Sequence, residues 1–409
     1  MKNLFKPYNT ISEKELFAVK RVIKSGILSG YQGANNYEFM GGKEVKKFES
    51  SCEKFFKVKY AIAVNSWTSG LICAFGAIDL KPGDEVITTP WTMSACTSSI
   101  IHWGGIPIFA DIDKDTYCID PLKINNLITK RTKAVLSVDI FGQSANIEKI
   151  NKIAKKNNIF HISDSAQAPG SIRKGYYAGT KSHIGGISLN KHKHIQTGEG
   201  GIIFTNNEKL AQKMRLIRNH AESVVDFKSK NIVNLVGYNF RLGELESAIG
   251  LEQLKKLKKL KSHRTKIGNF LNKKLSKLNG LQTPVVEKGN NHIYYLYPLQ
   301  LDLNKIKVSR EKIIKNLEIA GVPKLLVGYQ NLHLLPMFQK KIAYGSKSFP
   351  WSYSDINYHY AKGICPVAEN LHDKSFFGIL FCNYEIQIDE LNLIVKAFNN
   401  VWNKLGLNI

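Results

Sequence analysis

Short apolar runs alternate with amphipathic segments along the first 200 residues of the chain. The apolar runs are rich in β-branched residues and predict strands, whereas apolar positions spaced three or four apart predict helices. Strands are predicted at residues 60–65, 85–89, 106–111, 134–141 and 159–164, with further candidates at 186–189 and 201–205. Helices are predicted between them at residues 68–79, 92–103 and 147–156. This alternation predicts an α/β fold, with a mainly parallel sheet flanked by helices.

The segments on either side of this region are mainly helical. Ser12-x-x-Glu15 is a capping-box pattern and Gly26 a helix stop, so a first helix is predicted between them. Leucines recur every third residue from Leu251 to Leu260 in a lysine-rich run, which predicts a long surface helix. Further helices are predicted from about residue 266, at 309–320 and across 391–405, with an extended stretch at 292–301. We therefore expect a large domain over residues 1–265 and a smaller α+β C-terminal domain over residues 266–409.

The composition is that of a globular protein with a strong positive charge. The 409 residues include 58 Lys+Arg and 33 Asp+Glu, which gives a formal net charge of +25. With 43% hydrophobic and 22% charged residues, the chain does not resemble a disordered, collagen-like or coiled-coil protein. The excess lysines are spread along the chain and no nucleic-acid module is recognisable, so no nucleic-acid partner is expected. A basic surface does favour anionic small molecules.

Neither a membrane span nor a metal site is predicted. No apolar run approaches the roughly 18–20 residues that cross a bilayer, and residues 1–15 lack the apolar core of a secretory signal. The six cysteines are scattered, which favours reduced thiols and a cytoplasmic location. His192 and His194 lack an evident third ligand, so a metal centre is not expected.

Polar and aromatic residues follow several of the predicted strands. Ligands of open α/β sheets bind at the carboxyl ends of the strands, so these residues are candidates for chemistry. Small hydroxyl residues at 66–69 precede a helix, where they could bind a phosphate or simply cap the helix. Trp91 follows another strand and could be a core residue or a platform for a planar ring. Asp164 ends a third strand, either as a helix cap or as a functional carboxylate.

Lys193 lies between a predicted strand and the glycine-rich segment 197–201. Lysine is rarely buried unless it is paired or used chemically. A phosphate site, a stacking aromatic, a carboxylate and a nucleophilic lysine together describe a site for pyridoxal 5′-phosphate (PLP). Neither the G-x-x-x-x-G-K-[ST] nor the G-x-G-x-x-G pattern of nucleotide sites is present.

The chain resembles the DegT/StrS family of PLP-dependent sugar aminotransferases, which belong to the fold type I aminotransferase superfamily. The resemblance extends over nearly the whole length. It is carried by the segments KPGDEVI at 81–87, PIFADID at 107–113, FGQ at 141–143, DSAQA at 164–168, TGEGG at 197–201, GYNFRLGELESAI at 237–249 and CPVA at 365–368.

The resemblance implies which residues contact the cofactor. Lys193 matches the lysine that bonds covalently to PLP, and Asp164 matches the carboxylate paired with the pyridinium nitrogen. Asn239 matches an asparagine that reaches the phosphate of the neighbouring subunit's cofactor, which implies a homodimer with shared active sites. The other matches are Gln167 beside the ring, Trp91 as the stacking aromatic, and Thr68, Ser69 and Ser188 as phosphate ligands.

Three features depart from the family pattern. Trp67 stands where the family has a small glycine, and Asp139 stands at a strand position that is often histidine. The segment at residues 30–42 is longer than the usual linker. We expect these departures to affect the substrate pocket rather than the cofactor site.

The implied activity is transfer of an amino group from glutamate or glutamine to a keto group of a sugar. A nucleotide-linked ketosugar of cell-surface polysaccharide or secondary-metabolite biosynthesis is the first expectation for the acceptor, and a small phosphorylated ketone or a keto-inositol is the alternative. Some relatives are PLP-dependent sugar dehydratases with histidine at the lysine position, and Lys193 argues against that class. A non-enzymatic regulator would not need Lys193 and Asp164 together. In an extended segment the side chains of Lys191 and Lys193 point the same way, so periodicity does not choose between them. The resemblance selects Lys193, through its spacing from Ser188 and its distance to the segment 197–201.

Overall fold

The computed structural model describes residues 5–34, 36–223 and 236–408 of the chain. The strands are β1 (Lys6–Pro7), β2 (Tyr60–Val64), β3 (Glu85–Thr88), β4 (Ile106–Phe109), β5 (Thr132–Val138), β6 (Phe160–Asp164), β7 (Ile172–Arg173), β8 (Tyr176–Tyr177), β9 (Ile184–Ser188), β10 (Gly201–Thr205), β11 (Leu281–Gln282), β12 (Tyr297–Leu301), β13 (Leu325–Val327), β14 (Phe376–Ile379) and β15 (Tyr384–Glu385). The helices are α1 (Glu13–Ser25), α2 (Lys43–Phe56), α3 (Trp67–Ala77), α4 (Ala95–His102), α5 (Pro121–Ile124), α6 (Ile147–Lys156), α7 (Glu208–Arg218), α8 (Glu244–Leu275), α9 (Arg310–Ile319), α10 (Pro336–Lys340), α11 (Pro366–Asn370) and α12 (Ile388–Lys404). A search of these described ranges finds no helix that is long and apolar enough to span a membrane.

A seven-stranded sheet lies at the centre of the larger part of the molecule. Its strand order is β2-β10-β9-β6-β5-β3-β4. The five strands from β9 to β4 are parallel to one another, whereas β10 is antiparallel to both β9 and β2. The predicted α/β class with a mainly parallel sheet is therefore confirmed.

Helices cover both faces of this sheet, because successive side chains of each strand point to opposite faces. In β2, Ile62 and Val64 belong to the apolar core that contains α3 and α7. Ala61 and Ala63 belong to the opposite core, which contains α2 and the first half of α8. The sheet is thereby shielded from water on both sides, as parallel sheets usually are.

The strand ends that carry polar residues meet at one edge of the sheet. Asp164 at the end of β6 pairs with Val138 of β5 on one side and with Gly186 of β9 on the other. Because β10 runs in the opposite direction, its first residue, Gly201, lies opposite Ser188 at the same edge. β2 ends beside β10 at this edge, directly before α3. Residues far apart in sequence are therefore brought together where ligands of α/β sheets bind.

The C-terminal part contains a second sheet with the strand order β11-β12-β14-β13, all antiparallel. Its apolar core includes Tyr297, Phe377 and Phe398, and also Phe5 from the start of the chain. β1 pairs with β15, so the N-terminal segment contacts the C-terminal part. The boundary after residue 265 falls inside α8 and remains a prediction.

α8 is one helix of 32 residues, although the sequence predicts separate helices before and after about residue 266. Its leucine stripe, with Leu254 and Leu257 buried, packs on the large sheet. The stripe continues at helical spacing through Leu271 and Leu275, which pack in the C-terminal core. The two halves therefore contact different cores without a break in the backbone. Helices α2 and α7 were not predicted from the sequence.

The extended stretch predicted at residues 292–301 is a strand only over Tyr297–Leu301. Before it, Tyr294 has a positive φ of 46°, which turns the chain. The backbone N–H groups of Ile293 and Tyr295 donate to the carbonyls of Gly142 and Phe141, respectively. These bonds attach the C-terminal part to the edge of the large sheet, so that Tyr295 reaches the candidate site.

Candidate active site

A cavity of about 260 Å³ opens at the edge of the sheet where the polar strand ends meet. Its walls contain residues predicted as cofactor contacts together with residues of the C-terminal part. The predicted contacts that line it are Thr68, Asp164, Gln167, Ser188 and Lys193. Tyr295 and Tyr329 line it from the C-terminal part.

One end of the cavity is formed by the N-terminus of α3. Ser66 caps this helix, since its Oγ accepts a hydrogen bond from the backbone N–H of Ser69 at 3.1 Å. The Oγ of Ser69 donates to Oδ1 of Asn65 at 2.7 Å, while Thr68 is exposed. Ser188 contributes a further buried hydroxyl. Backbone N–H groups at a helix N-terminus together with hydroxyl groups suit the phosphate of a ligand.

Asp164 supplies a carboxylate to the same cavity. Its Oδ1 accepts hydrogen bonds from the indole N–H of Trp67 at 2.7 Å and from the backbone N–H of Ala166 at 2.9 Å. Its Oδ2 accepts from the thiol of Cys96 at 3.1 Å. A carboxylate held in this way can pair with a protonated ring nitrogen.

Lys193 is the buried lysine of the cavity, whereas Lys191 is exposed to solvent. The backbone N–H of Lys193 donates to the carbonyl of Asn190, and this turn separates the two lysine side chains. The Nζ of Lys193 lies 4.5 Å from the centre of the Tyr295 ring. Burial lowers the pKa of Lys193 to about 8, although the charge of Asp164 opposes the shift. Near neutral pH, Lys193 is therefore a neutral amine, the nucleophilic form, in a larger fraction than an exposed lysine would be.

Gln167 and Tyr329 form one wall of the cavity. Oε1 of Gln167 accepts a hydrogen bond from the backbone N–H of Phe141 at 2.9 Å. Its Nε2 donates to the hydroxyl of Tyr329 at 3.3 Å. This places a side chain of the C-terminal part against a strand-end residue of the large sheet.

Trp91 does not line the cavity, because its side chain is 0% exposed. The centre of its ring lies 5.6 Å from the centre of the Tyr329 ring and 5.2 Å from the centre of the Phe376 ring. It therefore lies behind the tyrosine wall, and its role as a stacking platform remains a prediction.

Asn239 also lies outside the cavity, on an exposed segment. Its Oδ1 accepts a hydrogen bond from Nε of Arg241 at 2.8 Å. Its backbone carbonyl accepts from Nδ2 of Asn65, which precedes α3. The segment is thus attached to the same end of the sheet, and contact with a neighbouring subunit's cofactor remains a prediction.

Two of the departures from the family pattern lie beside the predicted cofactor carboxylate. Trp67 donates to Asp164 directly. Asp139 is buried and accepts hydrogen bonds from the hydroxyls of Ser163 and Ser165, and burial raises its pKa to about 6. Trp67 thus contacts a residue of the predicted cofactor site, while the expected effect of the departures on the substrate pocket stays a prediction. The segment at residues 30–42 borders a separate cavity of about 250 Å³ between α1 and α2.

A second cavity of about 440 Å³ adjoins the first and shares Thr92, Met93 and Tyr329 with it. Its remaining lining comes mainly from residues 326–335 of the C-terminal part, together with His372. Among the residues known to line the two cavities, Lys193 is the one lysine, and there is no arginine. Within the part of the chain that the structure describes, the lining of both cavities therefore offers little positive charge.

The described residues contain no group of three or more His, Cys, Asp or Glu side chains that could hold a metal ion. His192 lines the first cavity, but His194 is buried, and its Nε2–H donates to the carbonyl of Ile293 at 2.8 Å. All six cysteines are buried, in the packed positions expected from the sequence, and none forms a disulfide in the structure.

The residues of the first cavity fit PLP on the chemistry of their donor groups. The N-terminus of α3 and Ser188 suit its phosphate, Asp164 suits its ring nitrogen, and the neutral amine of Lys193 suits its aldehyde. A site with this donor set on a fold of this class defines a PLP-dependent enzyme of fold type I.

The chain belongs to the DegT/DnrJ/EryC1/StrS aminotransferase family, whose model matches residues 18–371. It is thus an aminotransferase, and PLP is its cofactor. The matched residues include every side chain named above as lining the first cavity.

Similar proteins agree with this assignment. The spore coat polysaccharide biosynthesis protein SpsC of Bacillus subtilis is 33% identical over 381 residues, which cover 91% of this chain and 94% of that protein. GDP-perosamine synthase of Caulobacter vibrioides is 32% identical, with coverages of 73% and 79%. The solved structure of PseC from Helicobacter pylori, an aminotransferase of pseudaminic acid biosynthesis, superposes with a TM-score of 0.80 at 26% identity and covers 98% of this chain and 99% of its own.

The sequence did not identify Tyr295, Tyr329 or Cys96 as site residues. The two tyrosines come from the C-terminal part, and no local pattern relates them to the strand ends of the large sheet. Cys96 lies within a predicted helix and reaches Asp164 only through packing. The unusual Trp67 next to the small hydroxyl residues was the one local signal of this arrangement.

Proposed function

We propose that this aminotransferase moves the amino group of glutamate or glutamine to the keto carbon of a nucleotide-linked ketosugar, in polysaccharide or secondary-metabolite biosynthesis. The observation that carries the proposal is the pair of adjoining cavities. The first is suited to PLP and the reacting carbon, and the second offers room for the rest of an acceptor. The names of the relatives, which include a GDP-perosamine synthase, support a sugar acceptor.

Asp164 and Lys193 have different roles in the proposed reaction. When bound, PLP supplies an aldehyde that can take up an amino group and a ring that can accept electrons. Asp164 would hold the ring nitrogen, and its negative charge would favour the protonated form of that nitrogen. The Nζ of Lys193 would serve as the base that takes up and returns the proton moved during amino transfer. The neutral amine required for this role is the form that burial of Lys193 promotes.

The scarcity of positive charge favours a nucleotide-linked sugar over a small phosphorylated ketone. The phosphate of a small ketone would lie within a few bonds of the keto carbon, inside the cavities. Lys193, the one lysine among the lining residues, is needed for the chemistry. The phosphates of a nucleotide-linked sugar lie farther from the reacting carbon, where a chain of net charge +25 offers a basic surface.

A screen of ketones tests the proposal. PLP-loaded protein is incubated with glutamate and with nucleotide-linked ketosugars, small keto-phosphates or keto-inositols, and the release of 2-oxoglutarate is followed. We expect turnover with at least one nucleotide-linked ketosugar and none with the Lys193→Ala control. A parallel series with glutamine, in which the release of 2-oxoglutaramate is followed instead, identifies the donor. Turnover of a small keto-phosphate while all nucleotide-linked ketosugars fail would contradict the proposal.

We further propose that two copies of the chain form a dimer in which each site is completed by its neighbour. Asn239 supports this arrangement, because it is exposed and its Oδ1 is occupied by Arg241. Its Nδ2 is then the group available to donate to an anion. The lack of arginine among the known lining residues also favours a contribution from outside the subunit.

Asn239→Ala should weaken PLP retention by about tenfold, as expected for loss of one hydrogen bond to a charged group. Retention is measured by dialysis and absorbance, and the assembly by light scattering. Asn304→Ala, at an exposed asparagine of the C-terminal part, is the control and should retain PLP normally. A fully active monomer, or equal retention by both variants, would rule out the shared site.

The proposed location is the cytoplasm. Six buried free thiols are consistent with a reducing compartment.

A further inference from the structure

The carboxylate of Asp164 is held by two side chains from different helices. Trp67 is the first residue of α3 and lies 97 residues before Asp164 in sequence, yet its indole N–H reaches Oδ1 at 2.7 Å. Cys96 of α4 reaches Oδ2 at 3.1 Å. Burial raises the pKa of the Cys96 thiol well above its usual value, so the thiol keeps its proton and can donate. Both donors therefore remain donors at physiological pH.

Two glycines, Gly186 and Gly70, leave the space that the Trp67 indole occupies. A Cβ atom added at Gly186 of β9 would lie 2.0 Å from Cζ3 of Trp67, and one at Gly70 of α3 would lie 2.7 Å from its Cε3. Neither glycine has a positive φ, so the requirement is for the absence of a side chain rather than for an unusual backbone conformation. The Trp67 side chain is 5% exposed and lines the cofactor cavity.

The donors leave little acceptor capacity on Asp164. A carboxylate has about four lone-pair sites. Trp67 and the backbone N–H of Ala166 occupy Oδ1, and Cys96 occupies one site on Oδ2. The remaining site is on Oδ2, and Asp164 lines the cavity.

We infer that Trp67 and Cys96 are positioning residues, which fix the rotation of the Asp164 carboxylate so that one site on Oδ2 meets the ring nitrogen of PLP. The χ2 torsion of aspartate is intrinsically broad, so an unrestrained carboxylate samples many rotations. A charge-assisted bond from Trp67 at 2.7 Å opposes this freedom. Because Trp67 also begins α3, one residue links the helix end suited to the phosphate with the carboxylate suited to the ring nitrogen.

The test compares two cofactors in two proteins. Wild-type enzyme and Trp67→Phe are stripped of PLP and titrated with PLP or with its 1-deaza analogue, in which a C–H group replaces the ring nitrogen. Trp67→Phe keeps an aromatic ring but removes the N–H donor. We expect it to weaken binding of PLP by about tenfold, the effect of one hydrogen bond to a charged group. Binding of the analogue, which gives Asp164 no ring nitrogen to meet, should change by less than about twofold by the same reasoning.

The controls separate positioning from packing. Trp351→Phe removes an indole N–H that donates to the hydroxyl of Tyr360, in the core but outside the cavity, and should alter neither titration. Cys96→Ala should also weaken the binding of PLP but not that of the analogue. We expect a loss of about threefold for PLP, because a thiol is a weaker hydrogen-bond donor than an indole N–H. This second variant carries the test if Trp67→Phe does not fold. An equal loss for both cofactors, or no loss for PLP, would overturn the inference.

Discussion

Lys193→Ala should abolish transamination, with a loss of at least about 10⁴-fold in kcat, since both the covalent attachment and the general base are removed. PLP should still bind non-covalently, because the N-terminus of α3, Ser188 and Asp164 are unchanged. The matched control is Lys191→Ala. Lys191 is exposed and separated from the cavity by the turn at Asn190, so this variant should keep most of the activity.

The absorption spectrum and a chemical trap identify the attachment site. The wild-type protein should show a visible band of bound cofactor that Lys193→Ala lacks and Lys191→Ala keeps. Borohydride reduction should fix the phosphopyridoxyl mass on the peptide that contains Lys193. If the mass maps to Lys191, or if Lys193→Ala still turns over, the assignment is wrong.

The rate of attachment should also depend on pH. The neutral amine is the nucleophile, and burial lowers the pKa of Lys193 to about 8. The rate at which PLP-free protein acquires the visible band should therefore rise as the pH increases through about 8 and level off above it. A rise centred near the usual value of an exposed lysine, about 10.4, would show that the amine is not desolvated.

Asp164→Asn should lower kcat by about 10²–10⁴-fold. Removing one partner of a buried charge pair costs roughly 3–5 kcal/mol, and each 1.36 kcal/mol is a factor of ten. The neutral side chain can keep most of the local hydrogen bonds. Its oxygen can accept from Trp67 and Ala166, and its amide group can face the Cys96 sulfur. The fall in kcat would then be due to the missing negative charge and not to a disrupted site.

Asp139→Asn is the control for this prediction. Asp139 is buried one strand away, is bound by Ser163 and Ser165, and does not line the cavity. We expect its replacement to change kcat by less than about tenfold, because a carboxylate that does not contact the ring influences it only by long-range electrostatic interaction. Steady-state kinetics and PLP titration of both variants provide the comparison. Equal losses for the two variants would mean that Asp164 has no special role at the ring.

The candidate chemistry could be predicted from the sequence because it follows strands. Each of Thr68, Asp164 and Ser188 lies at or just after an apolar run, and parallel strands bring their carboxyl ends to one edge. Lys193 was selected by its spacing from Ser188, and the structure places it in the cavity. Local patterns and one topological rule were sufficient for the strand-end residues, whereas the choice of Lys193 over Lys191 also needed the family resemblance.

Other features depend on contacts that no local pattern encodes. α8 is long because its apolar stripe packs against one core over its first half and against a second core over its second half. The position of Tyr295 follows from a turn at Tyr294 and from the hydrogen bonds of the flanking backbone N–H groups to the loop after β5. Tyr329 enters the site because the C-terminal part packs on the edge of the large sheet.

The sequence by itself determined the class of fold and the edge of the sheet that carries the candidate site. These follow from hydrophobic periodicity and from the order of strands, which are local properties of the chain. The assignment of Lys193 and Asp164 to the cofactor came from the family resemblance of the segments around them, and it stays a prediction. Only the tertiary structure decided how Asp164 is held, where Trp91 lies, and which cavity adjoins the first. Those features depend on side chains such as Trp67 and Cys96 that meet over long sequence separations, where packing rather than periodicity sets the geometry.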